Sequence, residues 1–154
     1  MSKPIITVFG ATGAQGGGLA RALLADSGRH FAVRAVTRKP DGAAAAELKR
    51  AGAEVVLADI DDGCSVRRAL EGAYGAFLVT NFWEHHSAQK ELVQAHNLAA
   101  AAAQAGVRHA IWSTLEDTRE FLAADGTRMP VLQDQYNVPH LDAKGAANRF
   151  FEQL

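Results

Sequence analysis

The sequence is poor in cysteine, since Cys64 is the only one among 154 residues. A lone cysteine cannot form an internal disulfide, so the chain is not a disulfide-stabilised secreted domain, and we expect it in the reducing cytoplasm or the nucleus. Residues 1–4 lead directly into the first apolar run, so we also expect no signal peptide. No segment approaches the roughly 18 consecutive apolar residues of a membrane-spanning helix, and we expect no membrane association.

The sequence also lacks an excess of charge of either sign. Its formal net charge is −1, and charged residues make up 21% of the chain. A protein that binds nucleic acid directly usually carries a basic patch, so we expect any effect on DNA to act through a protein partner. The adjacent histidines His85 and His86 point apart and have no third ligand near them, so we predict no metal site.

The remaining composition, with 48% hydrophobic residues, is ordinary for one soluble globular domain. Apolar runs alternate with helix-forming runs along the chain. The predicted strands cover residues 5–9, 31–37, 54–58, 73–80 and 109–113. The predicted helices cover residues 16–25, 43–51, 65–70 and 87–105, and a last one begins at Pro139. This order predicts an α/β fold, a Rossmann-type doubly wound parallel sheet of five strands with helices on both faces.

The pattern lacks the sixth strand that a doubly wound dinucleotide fold usually has, and it lacks a C-terminal substrate domain. We therefore expect one dinucleotide-binding domain over residues 1–154 that is the truncated first part of a longer protein. A shortened isoform, or completion of the sheet by another chain as in a homodimer, are the alternatives.

The first predicted strand breaks into a turn that contains Gly10, Gly13 and Gly16. A helix pattern follows at once, so backbone N–H groups and the positive end of the helix dipole face one point, where a phosphate binds favourably. Glycine permits both the tight turn and the close approach of a pyrophosphate. We predict a dinucleotide site here, and a purely structural turn is the alternative. The other residues of the turn that we expect to take part are Thr12, Ala14 and Gln15.

The second predicted strand ends in Thr37, Arg38 and Lys39, with no carboxylate before Asp41. In dinucleotide-binding folds an acidic residue at this point selects NAD by binding the ribose 2′-hydroxyl, whereas an arginine accommodates the 2′-phosphate of NADP. We therefore predict NADP(H) as the cofactor. The alternative is a solvated basic turn.

Two further strand ends lie at the same edge of the predicted sheet. The third strand ends in Asp59, Ile60 and Asp61, which either reach the adenine or form a polar turn. The fourth strand ends in Thr80, Asn81 and Phe82. It lies beside the point where the strand order reverses and ligands bind. We expect Thr80 and Asn81 to contact the cofactor, and Phe82 with Trp83 to wall the nicotinamide pocket. Packing within the loop is the alternative for the two aromatic residues.

Four segments carry a resemblance to a known family. They are Val8-Phe9-Gly10-Ala11-Thr12-Gly13-Ala14-Gln15-Gly16-Gly17, Thr37-Arg38, Val79-Thr80-Asn81-Phe82-Trp83-Glu84 and His140-Leu141-Asp142-Ala143-Lys144. Together they resemble the NmrA-like family, an atypical branch of the short-chain dehydrogenase/reductase superfamily. The chain would be the N-terminal half of a member. The resemblance implies NADP(H) binding and, for several members, a role as redox sensor or regulator of transcription factors. Related branches include quinone and isoflavone-type reductases.

The catalytic device of that superfamily is Tyr-x-x-x-Lys, in which the lysine charge lowers the tyrosine pKa. Lys144 has the required spacing, but His140 occupies the tyrosine position. A neutral imidazole beside a lysine is a very poor acid, so we predict no catalytic residue here and expect Lys144 to hold the nicotinamide ribose. Ser113 matches the usual third member of the set. The alternative for His140 and Lys144 is the surface of an amphipathic helix.

These observations favour an NADP(H)-binding redox sensor or regulator with little or no dehydrogenase turnover, which acts on a protein partner. The alternative is an NADPH-dependent oxidoreductase acting on quinones or related carbonyls, because direct hydride transfer to a quinone demands less acid catalysis. A third reading is an interaction protein that no longer binds the cofactor.

Overall fold

The computed structural model describes residues 2–28, 30–122 and 129–152. The strands within these residues are β1 (Ile5–Val8), β2 (Ala32–Thr37), β3 (Glu54–Leu57), β4 (Ala73–Leu78) and β5 (His109–Trp112). They form one sheet in the order β3-β2-β1-β4-β5, and every neighbouring pair is parallel. β1 is the central strand. β2 and β3 lie on one side of it and β4 and β5 on the other, so the direction in which strands are added to the sheet reverses at β1.

Four helices connect these strands in the described residues, and two more follow β5. In the same described part of the chain they are α1 (Ala14–Ala25), α2 (Ala43–Arg50), α3 (Gly63–Leu70), α4 (Ala88–Gln104), α5 (Pro139–Ala146) and α6 (Asn148–Phe151). Short 3-10 turns cover Phe82–Glu84 and Thr118–Glu120. The predicted α/β Rossmann-type sheet is confirmed. The ends of the strands and of the helices up to α4 agree with the prediction to within two residues, the usual uncertainty at the ends of elements.

The core lies on both faces of the sheet. Val8 is the last residue of β1 and Phe9 follows it directly, and the two side chains pack in different core clusters. Val8 packs in the cluster that contains Leu48 of α2, whereas Phe9 packs in the cluster that contains Leu98 of α4. This two-sided burial explains why β1 is apolar without alternation. Among the described residues, no helix has the length and apolar content needed to cross a membrane.

The segment before α5 is anchored by one buried carboxylate. Asp142 is fully buried, and its Oδ2 accepts hydrogen bonds from the N–H groups of Asn137 at 2.8 Å and Val138 at 2.9 Å. Its Oδ1 accepts from the N–H of Thr118 at 2.8 Å. Asp142 therefore fixes the start of α5 and the Thr118–Glu120 turn to each other. Pro139 is the first residue of α5 as predicted, but the last helical region is divided into α5 and α6.

Candidate cofactor-binding site

The glycine turn has the backbone that its sequence requires. Gly10 has a φ of +61°, in the left-handed region that favours glycine, and its carbonyl accepts a hydrogen bond from Gly13 N–H at 2.9 Å. A Cβ added to Gly16 would lie 2.5 Å from the carbonyl oxygens of Gly10 and Phe9. Glycine at position 16 therefore allows the first turn of α1 to pack directly on the end of β1.

The N-terminus of α1 is available to an anion. Gly13 is its N-cap and, within the described residues, no side chain caps this helix and its first turn holds no acidic residue. By contrast, Asp62 caps α3 and Ser87 caps α4 through side-chain oxygens. The first N–H groups of a helix have no partner inside it, so those of α1 can bind a phosphate along the helix dipole.

This helix end faces a cavity of about 510 Å³ at the carboxyl ends of the strands. Most of the predicted cofactor-binding residues line it. They are Gly10, Thr12, Gly13, Ala14, Gln15, Gly16, Thr37, Arg38, Lys39, Ile60, Thr80 and Asn81. The predicted residues outside its lining are Asp59, Asp61, Phe82 and Lys144.

Some lining residues were not predicted. They are Phe9, Val36, Ala58, Val79, Glu84 and Gln94. The apolar ones lie at or just beyond the ends of the strands, where the pattern of buried strands could have indicated them. Glu84 belongs to the segment quoted for the family resemblance, whereas Gln94 on α4 gave no sequence signal.

Arg38 is paired rather than free in this structure. Its Nη2 lies 2.7 Å from Oε1 of Glu84, with the two side chains 56% and 44% exposed. The side-chain amide of Asn81 donates to the same oxygen at 3.2 Å. Partial burial opposes ionisation of Glu84, but the hydrogen bonds from Arg38 and Asn81 hold the pKa of that carboxyl below its ordinary value.

The carboxylates of Asp59 and Asp61, which follow β3, make hydrogen bonds within the protein. Asp61 accepts hydrogen bonds from Lys90 at 2.8 Å and from Gln94 at 2.8 Å, and the hydrogen bond from Lys90 is the main cause that lowers its pKa. Asp59 accepts from the N–H of Asp61 at 2.9 Å. The structure therefore favours the polar turn for these two carboxylates, and only Ile60 of this group reaches the cavity.

Lys144 lies in a buried polar network behind the cavity. Its Nζ donates to the hydroxyl of Thr80 at 3.0 Å and to the carbonyl oxygens of Thr80 and Ser113 at 3.2 Å each. It also lies 3.4 Å from Oε1 of Glu91. Burial lowers the pKa of Lys144, although Glu91 opposes the shift. These protein oxygens surround the ammonium group in this structure, and the contact of Lys144 with the nicotinamide ribose stays a prediction.

His140 and Phe82 belong to an aromatic cluster. The imidazole of His140 lies 4.8 Å from the ring of Trp83 and 5.9 Å from that of Phe82, measured between ring centroids. Phe82 is buried and Trp83 is 62% exposed. Phe82 packs against Trp83 within the loop and against His140 of α5, and its place beside a nicotinamide stays a prediction. Across the described residues, no group of three His, Cys, Asp or Glu side chains is arranged to hold a metal ion.

A hydrogen bond between Gln15 and Ser113 lies on the β5 side of the glycine turn. The hydroxyl of Ser113, just after β5, donates to Oε1 of Gln15 at 2.6 Å. Gln15 lies in the first turn of α1, so this contact joins the glycine turn to β5. A polar pair therefore stands on each side of the glycine turn, Gln15 with Ser113 and Arg38 with Glu84.

Comparison with known proteins decides the family. The profile of the NmrA-like family matches residues 2–144. The chain belongs to the NmrA-like family. It is similar to the NmrA-like family domain-containing oxidoreductase FrzB of Cladobotryum sp, with 43% identity over 114 residues, which are 71% of this chain and 33% of FrzB. The chain thus spans about a third of the length of this curated relative.

Solved NmrA structures have the same fold as this NmrA-like chain. NmrA, a negative transcriptional regulator, in complex with NADP gives a TM-score of 0.76 at 26% identity and matches 100% of this chain and 43% of NmrA. Its complex with NAD gives a TM-score of 0.78 at 26% identity, again with 100% of this chain and 43% of NmrA covered. That regulator has therefore been crystallised with either dinucleotide.

Proposed function

We propose that this NmrA-like chain binds NADP(H) in the cavity at the end of β1. The observation that carries the proposal is the uncapped N-terminus of α1, which faces the same cavity as Arg38 and Lys39. The helix N–H groups would hold the pyrophosphate. The two basic side chains would hold the 2′-phosphate, since a guanidinium fork matches phosphate oxygens. The bound dinucleotide would supply hydride chemistry.

Binding of NADPH and NADH, measured by titration calorimetry, tests this proposal. Removal of one charged contact to phosphate costs about 1.5–3 kcal/mol, so Arg38→Ala should weaken NADPH binding roughly tenfold to a hundredfold and leave NADH binding nearly unchanged. Arg67→Ala is the matched control, because Arg67 is half-exposed on α3 and pairs with Glu71. Equal affinities for the two dinucleotides, unaffected by Arg38→Ala, would refute the 2′-phosphate assignment.

We further propose that the protein is a redox sensor or regulator with little or no turnover, which reports its cofactor state to a protein partner. The burial of Lys144 among Thr80, Ser113 and Glu91 supports this role, because that lysine is committed to the fold. The contact of His140 with Trp83 supports it as well. Neither side chain is arranged as a proton donor to a ligand in the cavity.

The second candidate is an NADPH-dependent oxidoreductase acting on quinones or related carbonyls. The similarity to FrzB, which is named an oxidoreductase, favours it. Hydride transfer to a quinone asks little of a protein acid, so the histidine at position 140 is compatible with this chemistry.

Consumption of NADPH with a panel of quinones distinguishes the two roles. If the protein is a sensor, the rate of NADPH oxidation with the protein present should not exceed the rate at which the quinones oxidise NADPH without protein. The variant His140→Tyr should raise this rate little, because Lys144 is held by Thr80, Ser113 and Glu91 and cannot lower the pKa of the new phenol. Repeated turnover that falls in Arg38→Ala would instead establish the oxidoreductase, since that variant acts through the proposed cofactor pocket.

A further inference from the structure

Glu84 and Arg38 join two walls of the pocket. Arg38 follows β2 and Glu84 ends the 3-10 turn after β4, and β1 lies between these strands in the sheet. Their charged groups meet at 2.7 Å, and both residues line the cavity. The pair therefore passes over the end of the strand that carries the glycine turn.

The carboxylate of Glu84 is held in place as an anion. Oε1 accepts from Arg38 and also from the side-chain amide of Asn81 at 3.2 Å. Asn81 lies directly after Thr80 at the end of β4, so the position of Glu84 is set by its own loop as well as by Arg38. A negative charge is thus held beside Arg38, which lines the cavity together with Lys39.

This charge affects the two dinucleotides in opposite ways. A guanidinium binds carboxylate and phosphate through the same N–H groups, so a 2′-phosphate on Arg38 would stand beside Glu84, and like charges repel at such distances. A ribose 2′-hydroxyl would instead donate a hydrogen bond to that carboxylate, which is how an acidic residue selects NAD in dinucleotide-binding folds. Glu84 supplies, from the loop after β4, the carboxylate that the end of β2 lacks.

We propose that Glu84 is a specificity-determining residue that competes with the 2′-phosphate for Arg38 and thereby restrains the preference of this pocket for NADP(H) over NAD(H). The inference rests on the proposed function, and it concerns the ratio of two affinities. Both side chains are about half-exposed, and ion pairs of this kind are weak. A phosphate can therefore displace the carboxylate, and Glu84 tunes binding rather than blocking it.

Calorimetric titration of NADPH and NADH into wild type, Glu84→Gln, Arg38→Ala and the double variant tests the inference. Glutamine keeps the shape and the hydrogen-bonding oxygen but removes the charge. We expect Glu84→Gln to lower the Kd for NADPH by up to about fivefold, which is the strength of the surface ion pair with Arg38 that the 2′-phosphate would otherwise have to displace, with no comparable gain for NADH. The gain should vanish in the Arg38→Ala background.

The matched control is Glu71→Gln. Glu71 is exposed, pairs with Arg67 at 3.9 Å and lies outside the cavity lining, so this variant should leave both Kd values unchanged. Three results would overturn the role of Glu84 while leaving the proposed function intact. These are equal changes for both dinucleotides, weaker NADPH binding, or a selective gain that persists without Arg38. A wild-type protein that binds neither dinucleotide would refute the proposed function, and the inference with it.

Discussion

The ammonium group of Lys144 lies 3.4 Å from Oε1 of Glu91, with the two side chains only 10% and 0% exposed. The hydroxyl of Thr80 lies between them, since it donates to the same oxygen of Glu91 at 2.6 Å and accepts from Lys144 at 3.0 Å. His85 approaches from outside, with Nε2 3.2 Å from Oε2 of Glu91, although the two atoms are not aligned for a hydrogen bond. This network joins α5 to α4 and to the end of β4.

Removal of one charge of the buried Lys144–Glu91 pair should lower the free energy of unfolding. Lys144→Met leaves the carboxylate of Glu91 buried without its cation, and breaking a buried pair in this way costs about 3–5 kcal/mol. The double variant Glu91→Gln/Lys144→Met removes both charges and should recover a large part of that loss. Urea denaturation followed by circular dichroism gives the free energies of unfolding.

Lys90→Met is the control for this experiment, because Lys90 pairs with Asp61 at the surface and such pairs contribute only about 0–1 kcal/mol. If Lys144→Met were no more destabilising than Lys90→Met, the buried charge of Glu91 would not depend on Lys144 for its compensation.

The same lysine makes stability depend on pH in the alkaline range. Burial lowers the pKa of Lys144 below its ordinary value of 10.5, so the folded chain releases this proton at a lower pH than the unfolded chain does. Between the folded pKa and 10.5 the unfolded state binds more protons, and the contribution of this group to stability rises with pH. Below the folded pKa its contribution is constant.

The free energy of unfolding of wild type, minus that of Glu91→Gln/Lys144→Met, should therefore increase as the pH approaches 10.5. The subtraction removes the titration of the other lysines and the tyrosines. A difference that is flat or falls across this range would contradict a lowered pKa for Lys144.

Two neighbouring glycines of α1 should respond to alanine in opposite directions. Gly16→Ala places a Cβ 2.5 Å from two backbone oxygens, whereas a Cβ on Gly18 meets nothing within 4 Å. We expect Gly16→Ala to destabilise by at least about 1–3 kcal/mol through overpacking. Gly18→Ala should stabilise by up to about 1 kcal/mol through helix propensity. Thermal denaturation of both variants measures this, and a tolerated alanine at position 16 would show that the turn does not pack on β1 as described.

Replacement of Asp142 by asparagine should destabilise the fold. Asp142→Asn replaces one acceptor oxygen by a donor that faces N–H groups of Asn137, Val138 or Thr118, and an unsatisfied buried group costs about 1–3 kcal/mol. Asp62→Asn is the matched control, because Asp62 is the N-cap of α3 and asparagine caps equally well. Denaturant unfolding should show a clear loss for the first variant and almost none for the second; similar effects would remove the special role of Asp142.

The sequence was sufficient for the features that depend on local chain geometry. The glycine turn with Gly10 and Gly16 predicts its own backbone, because the positive φ and the close packing act within a few residues. The basic end of β2, with Arg38, lies at the edge of the cavity, as expected for parallel strands that end together, and its contact with a 2′-phosphate stays a prediction. The same reasoning gave the sheet, since runs buried on both faces are apolar throughout.

The sequence was not sufficient for side chains whose partners come from distant elements. Lys144 has the spacing of the superfamily's lysine, but Glu91 and Thr80 withdraw it from the cavity, and no spacing within α5 reveals them. Asp61 was weighed as an adenine contact, yet Lys90 of α4 holds it. The loop that contains Glu84 was expected at the pocket, but the ion pair of Glu84 with Arg38 joins the ends of two strands that are distant in the sequence and leaves no local signal.

The central position of β1 also has a kinetic consequence. β2 can pair with β1 as soon as the chain up to β2 has been synthesised, because only α1 separates them. Val79 can approach Gly10 only after β4 has paired with the other edge of β1. Parallel pairing of segments far apart in sequence is slow, because loop closure precedes any favourable contact. We therefore expect the phosphate-binding turn to lack its β4 wall until late in folding. A ligand that needs both walls would leave the folding rate nearly unchanged and act by slowing unfolding.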